Sequence, residues 1–355
     1  MTAQRDSILK GVLAAGRLSK ELGLEQRALH EWGRVDVYRV AAELDVPVIF
    51  RPLKGLLGVF MSEPSPGILV TNQRPPGVQR LTCAHEIGHF YLRHALSVDD
   101  EKNIGIALRS GSSTENIELE ANGFSYELMM PSTLVRSWAR SLLSEGFDAR
   151  VPSGIYQLSL RLGCSYQATA LSLRRLNILS DYQLSAADVP VKSLKQALIP
   201  NMDLESWHGD VWCLGERDRK YPIQAAVNDV FVISAPEMAS AGYLNEIDDI
   251  ERNGFQILRE SISSLGLATS VTGSKGERRS QPIGGAGQWH IDLQVKKAIE
   301  TRLTVESSRP WERSETTKVL MSIPLSVRAR EAIGLTLEMK QKELEWSLHL
   351  GNHSE

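Results

Sequence analysis

The chain has 355 residues, and 42% of them are hydrophobic, which is enough for two or three packed domains. Its 40 basic and 43 acidic residues give a net charge of −3, which excludes a general attraction to nucleic acid or to an anionic membrane. We find neither a signal-peptide pattern at the N-terminus nor an apolar stretch long enough to span a bilayer. The three cysteines, at 83, 164 and 213, are too far apart for a CxxC site and fit a reducing compartment. We therefore expect a cytoplasmic protein with no membrane contact.

The first seventy residues predict helices followed by short strands. Apolar residues at helical spacing extend to Trp32, and a second helix is expected over 36–44. Runs over 47–53, 57–61 and 67–71 read as strands. An unpaired strand edge can bind an extended peptide by main-chain pairing, and the segment 69–72 is a candidate for such an edge.

A single stretch over 82–90 carries the strongest chemical pattern, because it contains His85, Glu86 and His89 in the spacing HExxH. Positions i and i+4 lie on the same face of a helix, so both imidazoles can bind one Zn²⁺. Glu86 beside them is the candidate general base that takes a proton from water and returns it to the leaving amine. Tyr91, His94 and Tyr126 are near in sequence, but none is assigned to the oxyanion, and His94 is expected to point away from the ligand face.

A catalytic zinc needs a third protein ligand, and a helix that ends before Pro131 offers two glutamates. Glu118 and Glu120 point about 200° apart on that helix. Glu118 is preferred because Asn122 follows it on the same face and could hydrogen-bond a liganding imidazole. Glu120 is then expected to face outward or to form a surface pair, although the choice between the two stays open. The polar segment 99–114, between the two metal helices, is either a mobile loop beside the cleft or a plain surface connection.

Downstream, two helical runs flank Gly163, with Ser165 able to cap the second run. Arg174 and Arg175 are thin support for DNA reading, so packing against the preceding domain is favoured and DNA is an unlikely partner. The chain becomes mixed and Pro-punctuated over 181–204. Six strand-like runs follow, over 210–214, 230–233, 255–258, 290–295, 301–305 and 318–323, and helical spacing returns over 331–355.

The first half resembles the ImmA/IrrE zinc metallo-endopeptidases over roughly residues 30 to 180. The similarity includes the HExxH helix and the segment ELEANGFSYELMMP over 118–131, which is close to the family's ExEAnxFAxxLLMP. Ser125 and Tyr126 depart from the family pattern without touching a ligand. The resemblance implies Zn²⁺ held by His85, His89 and Glu118, Glu86 as base, a helix-turn-helix-like segment after the peptidase core, and often a helix-turn-helix repressor as substrate.

The second half resembles the chagasin-like inhibitors of papain-type cysteine proteases over about 205–328. The similarity rests on three turns, SAGY at 240–243, GGAGQW at 284–289 and SRPWE at 308–312, which match that family's loops in order and rough spacing. The resemblance implies an immunoglobulin-like sandwich with the loops at one end. The first loop lacks the family's Asn-Pro and final aromatic residue, so the fold is favoured over inhibitory activity. The candidate partner-binding residues are Gly242, Tyr243, Gly285, Arg309, Pro310 and Trp311.

Together these patterns predict a multidomain α+β protein. The expected parts are a mainly helical zinc-peptidase domain with a small sheet (1–150), a helix-turn-helix-like segment (151–180), a linker (181–204), an all-β immunoglobulin-like sandwich (205–330) and a C-terminal helix (331–355). The expected function is intracellular zinc-dependent proteolysis of a regulatory protein such as a repressor, and hence a role in transcription regulation. The sandwich would dock a substrate or partner or inhibit the cleft. The alternative is a protease-binding inhibitor that acts through the chagasin-like domain on a cysteine protease, with a regulatory or inactive metal site.

Overall fold

The computed structural model describes residues 2–53, 55–63, 65–94, 97–100, 116–202, 204, 207–250, 252–264 and 287–328. The chain separates into two compact units with the division between Leu198 and Ile199. The first unit combines helices with one sheet, and the second is built mainly from strands. The chain is therefore a multidomain α+β protein, as predicted. The expected boundaries at 150, 180 and 204 stay predictions.

Ten helices are described in the first unit, and a π-helical turn at Ala28–Trp32 directly follows the second of them. They are α1 (Thr2–Glu21), α2 (Leu24–Arg27), α3 (Val37–Glu43), α4 (Pro76–Tyr91), α5 (Asn116–Met129), α6 (Ser132–Ser144), α7 (Pro152–Leu162), α8 (Tyr166–Arg175), α9 (Asp181–Ala186) and α10 (Val191–Leu198). Helices α4 and α5, on which the predicted site residues lie, are almost wholly buried. They are therefore rigid supports for a site.

One four-stranded sheet accompanies these helices. Its strands are β1 (Val48–Arg51), β2 (Leu56–Met61), β3 (Gly67–Thr71) and β4 (Ser97–Asp100), in the spatial order β1-β3-β2-β4. Strand β3 is parallel to β1 and antiparallel to β2, so it is a central strand. The segment 69–72 therefore cannot be the open edge for substrate, because both sides of β3 are already paired. The described edges are β1 and β4, and β4 includes Asp99 and Asp100, which the sequence placed in a loop.

Two close helix contacts hold the site-bearing helices in place. A Cβ at Gly88 of α4 would lie 3.2 Å from the Cα of Ala121 in α5. On the other side of α5, a Cβ at Gly11 of α1 would overlap the backbone oxygen of Glu120, and one at Gly123 would overlap that of Ile8. Only glycine permits backbones to approach this closely. Helix α5 is thus packed between α4 and α1.

Helices α7 and α8 pack onto the rest of the first unit. Gly163 ends α7 in the left-handed region with φ 66°, and the Ser165 side chain accepts a hydrogen bond from the Ala168 backbone at the start of α8. Arg175 donates to Glu127 of α5 at 2.8 Å, while Arg174 pairs with Asp181 at 2.7 Å. The two arginines that could have supported DNA reading are thus engaged in ion pairs within the unit.

The segment 181–204, which was expected to be a linker, contains helices α9 and α10. Helix α9 begins with a capping box in which Ser180 and Gln183 bond reciprocally. Each helix is only six to eight residues long, so neither produced a recognisable periodic pattern. The compact first unit continues through these helices to Leu198.

The second unit contains two four-stranded sheets. Its strands are β5 (Val211–Leu214), β6 (Ile223–Ala226), β7 (Val230–Glu237), β8 (Leu244–Ile247), β9 (Phe255–Ser264), β10 (Gly287–Val295), β11 (Ile299–Ser308) and β12 (Lys318–Arg328). The orders are β5-β7-β10-β9 and β6-β12-β11-β8, with parallel pairs only at β5/β7 and β6/β12. All six predicted strands are present, whereas β6 and β8 were missed. An immunoglobulin-like arrangement of the two sheets stays a prediction.

Short helical turns connect several of these strands, at Glu216–Lys220, Ala239–Ala241, Pro310–Glu312 and α11 (Arg313–Thr316). The expected C-terminal helix over 331–355 and the turn that holds Gly285 lie outside the described residues. Among the helices that are described, none has both the length and the apolar character needed to cross a membrane.

Candidate metal centre

Three predicted ligands meet inside the first unit. His85 and His89 lie on one face of α4, and Glu118 reaches them from the first turn of α5. The Nε2 atom of His85 lies 3.0 Å from Nε2 of His89 and 3.1 Å from Oε2 of Glu118, and the third separation is 3.6 Å. Both imidazoles are 0–1% exposed. Among the described residues this is the one cluster of three or more metal-binding side chains.

The separations of these atoms fit a shared zinc ion. Two ligand atoms about 2.1 Å from a tetrahedral Zn²⁺ lie roughly 3.3 to 3.5 Å apart. The observed distances of 3.0 to 3.6 Å bracket that value. Two imidazole nitrogens and one carboxylate are also the donor set of many catalytic zinc sites, where a fourth position stays open. The residues present therefore fit the metal that the sequence pattern implies.

The protonation states also suit metal binding. Burial lowers the pKa of His89 to about 4, partly opposed by its contact with the Glu118 carboxylate, so the imidazole is neutral at neutral pH. Burial alone would raise the pKa of Glu118, but its contacts with the imidazoles of His85 and His89 hold it well below its usual value. A neutral imidazole and an ionised carboxylate are the forms that bind a metal.

Glu86, the predicted base, is fully buried beside the ligands and faces the sheet. A Cβ at Gly58 of β2 would lie 2.8 Å from Oε1 of Glu86 and 2.5 Å from Cγ2 of Thr82. The absence of a side chain at position 58 therefore makes the room that the Glu86 carboxylate occupies. This dependence on a strand residue was not foreseen, since nothing in the local pattern of β2 pairs it with α4.

The two glutamates of α5 have separate partners. Glu118 joins the histidine pair, while Glu120, which was expected to face outward, is only 7% exposed. Its Oε2 lies 2.7 Å from Nζ of Lys10 and 3.1 Å from Nε2 of His94. Of the two expectations for Glu120, an outward position or a surface pair, an ion pair is found, but the carboxylate is buried because α1 covers that side of α5.

The partner predicted for a liganding imidazole was Asn122, but the observed partner is His94. Nδ1 of His94 lies 2.9 Å from Nδ1 of His89. Asn122 is fully buried, yet its amide nitrogen and oxygen find no hydrogen-bond partner among the described residues. The expectation that His94 points away from the ligands was wrong, because it assumed that α4 continues to residue 94.

The helix instead ends at Tyr91, and the chain turns back. Arg93 adopts the left-handed region with φ 57°, and the backbone N–H of His94 donates to the carbonyl of His89 at 2.9 Å. This reversal is a helix C-terminal motif that glycine usually provides. An arginine at that position gave no sequence signal for it. Tyr91 itself donates its hydroxyl hydrogen to Glu21 of α1.

In the second unit, two of the three predicted partner-binding loops lie together. A Cβ at Gly242, which has φ 81°, would lie 2.5 Å from Cη2 of the Trp311 indole. The Arg309 guanidinium lies 5.0 Å from the Tyr243 ring centroid and donates to the Ala241 carbonyl at 3.2 Å. Trp311 follows Pro310 in a short helical turn and is 68% exposed.

Comparisons with known proteins match a part of the first unit. Residues 41–174 match the family model of the IrrE N-terminal-like domain, a peptidase family designated M78. The resemblance of the N-terminal half to this family is thereby confirmed over residues 41–174, which supports a metallopeptidase-type domain there. A search of curated proteins finds no match.

Two solved structures are similar to part of the chain. One is the cysteine protease inhibitor EhICP2 from Entamoeba histolytica, at 22% identity and TM-score 0.27, covering 35% of this chain and all of the inhibitor. The other is amebosin, at 17% identity and TM-score 0.25, covering 33% of this chain and 97% of amebosin. The chagasin-like inhibitors named from the sequence are thus the kind of protein found. At these TM-scores the similarity establishes no activity for the second unit.

Proposed function

From the premise that residues 41–174 match a peptidase domain, we propose that this chain is an intracellular zinc-dependent endopeptidase. The observation that carries the proposal is that Glu118 lies at ligand spacing from the buried His85 and His89, with Glu86 adjacent on α4. A reducing compartment is supported by the three cysteines, all in described segments, none of which forms a disulfide.

Each site residue then has a distinct task. His85, His89 and Glu118 would hold Zn²⁺, which supplies Lewis acidity that polarises a peptide carbonyl and acidifies water. Glu86 accepts the proton of the attacking water on its carboxylate and returns it to the leaving amine. The absence of a side chain at Gly58 on β2 leaves the space that this carboxylate occupies.

The substrate we propose is a regulatory protein such as a helix-turn-helix repressor, so that cleavage would regulate transcription. Among the described strands, β4 lies at an edge of the sheet and pairs with β2, whose Gly58 leaves the space that the Glu86 carboxylate occupies. An extended peptide could pair with such an edge through main-chain hydrogen bonds. The second unit would serve as a docking module or an inhibitor of the cleft, and its exposed Trp311 supports a contact with another protein.

The test compares zinc content and peptide cleavage in the full chain and its variants. We expect the chain to bind about one zinc ion. We also expect it to cleave members of a peptide library, with the products identified by mass spectrometry. Glu86→Gln should keep the zinc but reduce cleavage by roughly 10²- to 10⁴-fold, because only the proton acceptor is lost. Glu118→Gln should weaken zinc binding, whereas Glu127→Gln, on the same helix but paired with Arg175, should not.

Retained cleavage in Glu86→Gln would remove the assignment of the base. A natural chain that binds no zinc would remove the peptidase proposal altogether. Zinc loss in Glu120→Gln of the same size as in Glu118→Gln would reopen the choice of the third ligand.

A second candidate function is protease inhibition by the second unit. The specific observation is the convergence of the Gly242 and Arg309–Trp311 loops with a largely exposed indole. Because EhICP2 is a cysteine protease inhibitor, we choose the cysteine protease papain as the probe. Inhibition of papain that Trp311→Ala abolishes, together with no cleavage by the zinc-loaded chain, would favour this candidate over the peptidase.

A further inference from the structure

We propose that the N-terminal helix α1, which precedes the matched family segment, positions the metal ligand His89 through a chain of three side chains, Lys10, Glu120 and His94. This inference rests on the proposed zinc site and adds positioning residues to it. None of the three belongs to the ligand cluster itself. Each acts through the next.

The chain of contacts is continuous from the surface to the ligand. Nζ of Lys10 lies 2.7 Å from Oε2 of Glu120, and the same oxygen lies 3.1 Å from Nε2 of His94. Nδ1 of His94 then lies 2.9 Å from Nδ1 of His89, whose other nitrogen faces His85 and Glu118. Exposure of the side chains falls along this path, from 59% at Lys10 to 9% at Glu120, 6% at His94 and 0% at His89.

The chemistry of the donors and acceptors assigns the direction of each hydrogen bond between these side chains. An ionised carboxylate only accepts, so Nε2–H of His94 donates to Glu120. A neutral His94 then has a bare Nδ1, which accepts the Nδ1–H of His89. His89 is thereby held in the tautomer with its Nε2 lone pair directed at the cluster. Outer partners that fix a ligand's tautomer and ring orientation in this way strengthen metal binding.

The backbone around this chain is built to maintain it. The left-handed Arg93 returns His94 onto His89, and the backbone contact at Gly11 places the neighbouring Lys10 over Glu120. A side chain at position 11 would overlap the Glu120 carbonyl, so the two helix backbones are in close contact there. Lys10 can therefore move away from Glu120 only if α1 and α5 lose this packing. Helix α1 thus contributes to the site as well as to the core.

The experiment measures the zinc dissociation constant by chelator competition in the full-length chain at one pH. We expect His94→Ala and Glu120→Ala to weaken zinc binding about 10- to 100-fold. Lys10→Met should weaken it about two- to fivefold, since a mostly exposed ion pair contributes little, and Lys10→Arg should restore it. The absorption spectrum of the Co²⁺-loaded chain should change in the His94 and Glu120 variants, because the ligand ring is no longer held.

Matched controls separate positioning from general stability. Glu127→Ala removes another paired glutamate from α5, and Lys20→Met removes another lysine from α1, and both should leave zinc affinity and the Co²⁺ spectrum unchanged. In a double-mutant cycle, Lys10→Met should add nothing once Glu120→Ala is present. Because Lys10 is mostly exposed, its variants keep the test valid if Glu120→Ala fails to fold.

The outcomes distinguish this inference from the proposed function. A natural chain that binds zinc, with unchanged affinity and Co²⁺ spectrum in the Lys10 and His94 variants, would overturn the positioning role alone. A natural chain without zinc affinity would overturn the metal site and this inference together.

Discussion

In the first unit, the buried His85 and His89 and the partly buried Glu118 lie with their polar atoms facing one another. In the second unit, by contrast, Asp229 is buried with its carboxylate facing backbone and an indole. Asp229 is 1% exposed and accepts hydrogen bonds from the backbone nitrogens of Asp210 and Ala226, at 2.7 and 2.9 Å. Its third donor is Nε1 of Trp212, at 3.0 Å.

The difference shows that burial of an ionisable group does not by itself mark a functional site. A carboxylate surrounded by donors from its own turns stabilises a fold, because its charge is compensated locally. Imidazoles and a carboxylate that converge on one point instead leave room for a cation between them. The groups that surround a buried ionisable side chain therefore decide whether its loss should lower the catalytic rate or the stability of the fold.

The largest effect should follow from a change at the wall of the site. Gly58→Ala places a methyl group 2.8 Å from Oε1 of Glu86, so the carboxylate must move. A displacement of about 1 Å in a catalytic group costs roughly 100-fold in rate. We expect that loss in the cleavage assay, with zinc content unchanged.

Gly67→Ala on β3 is the matched control for this variant. Its new Cβ would meet the nearest atoms, in Pro47 and Met61, only at 3.9 to 4.0 Å. Cleavage by Gly67→Ala should stay near that of the natural chain. Full cleavage by Gly58→Ala would contradict the placement of Glu86 against β2.

In the second unit the corresponding change should affect stability alone. Asp229→Asn turns one acceptor oxygen into a donor that faces the existing donors, which should cost about 1 to 3 kcal/mol. Chemical unfolding followed by tryptophan fluorescence would measure this, since Trp212 is one of the three donors. Zinc affinity and cleavage should not change.

Asp249→Asn is a suitable comparison, because Asp249 is exposed and an asparagine tolerates its φ of 49°. Its unfolding midpoint should match that of the natural chain. A loss of zinc affinity in Asp229→Asn would mean that the buried acid of the second unit also supports the metal site. Asp229 would then not be a purely structural acid.

The structure also shows which features a sequence can reveal. The spacing of His85, Glu86 and His89 is local to one helix, and Pro131 marked the end of the helix that carries Glu118, so the ligand cluster could be predicted. The six longer strand runs were recognisable by their β-branched and aromatic residues. Strands β6 and β8 are four residues long and read IQAA and LNEI, which leaves too little pattern for either to be found.

The features that were missed depend on tertiary contacts or on a backbone exception. On a continuing helix, His94 would point about 140° away from His89, and only the left-handed Arg93 reverses that direction. Glu120 was assigned to the surface because its cover, α1, is more than a hundred residues away in sequence. Strand β3 was a candidate edge because the residues of one strand do not indicate which other strands pair with it.

A smaller effect on stability should come from the helix contact that supports the proposed positioning chain. Gly11→Ala forces a methyl group into the Glu120 carbonyl, and such overpacking costs about 1 to 3 kcal/mol. Gly16→Ala, on the same helix, has no atom within 4 Å of its new Cβ and should gain up to about 1 kcal/mol from helix propensity. Thermal unfolding of both variants would measure the difference. Equal stability would show that α1 and α5 can slide apart without penalty.

The smallest expected effect is a pH dependence at Glu237, a buried acid of the second unit. Burial raises the pKa of Glu237 above its ordinary value of 4.5, although backbone donors at Asn245 and Met238 partly oppose the shift. The folded state therefore holds this proton more tightly than the unfolded chain does. Stability from this group is fully present below pH 4.5 and is lost as the pH rises through the folded pKa.

Glu237→Gln removes the ionisation, so the melting temperature of the variant relative to the natural chain should rise between pH of about 4 and pH of about 7. Only the change of this melting-temperature difference with pH is diagnostic. Altered hydrogen bonds of the side chain also shift the melting temperature, but by an amount that does not depend on pH. Glu300→Gln, at an exposed position on β11, controls for the loss of one negative charge. If the melting-temperature difference rises with pH no more steeply for Glu237→Gln than for Glu300→Gln, the Glu237 carboxylate keeps its solvation on folding. Burial would then shift the proton affinity of some buried acids of the second unit and leave that of others unchanged.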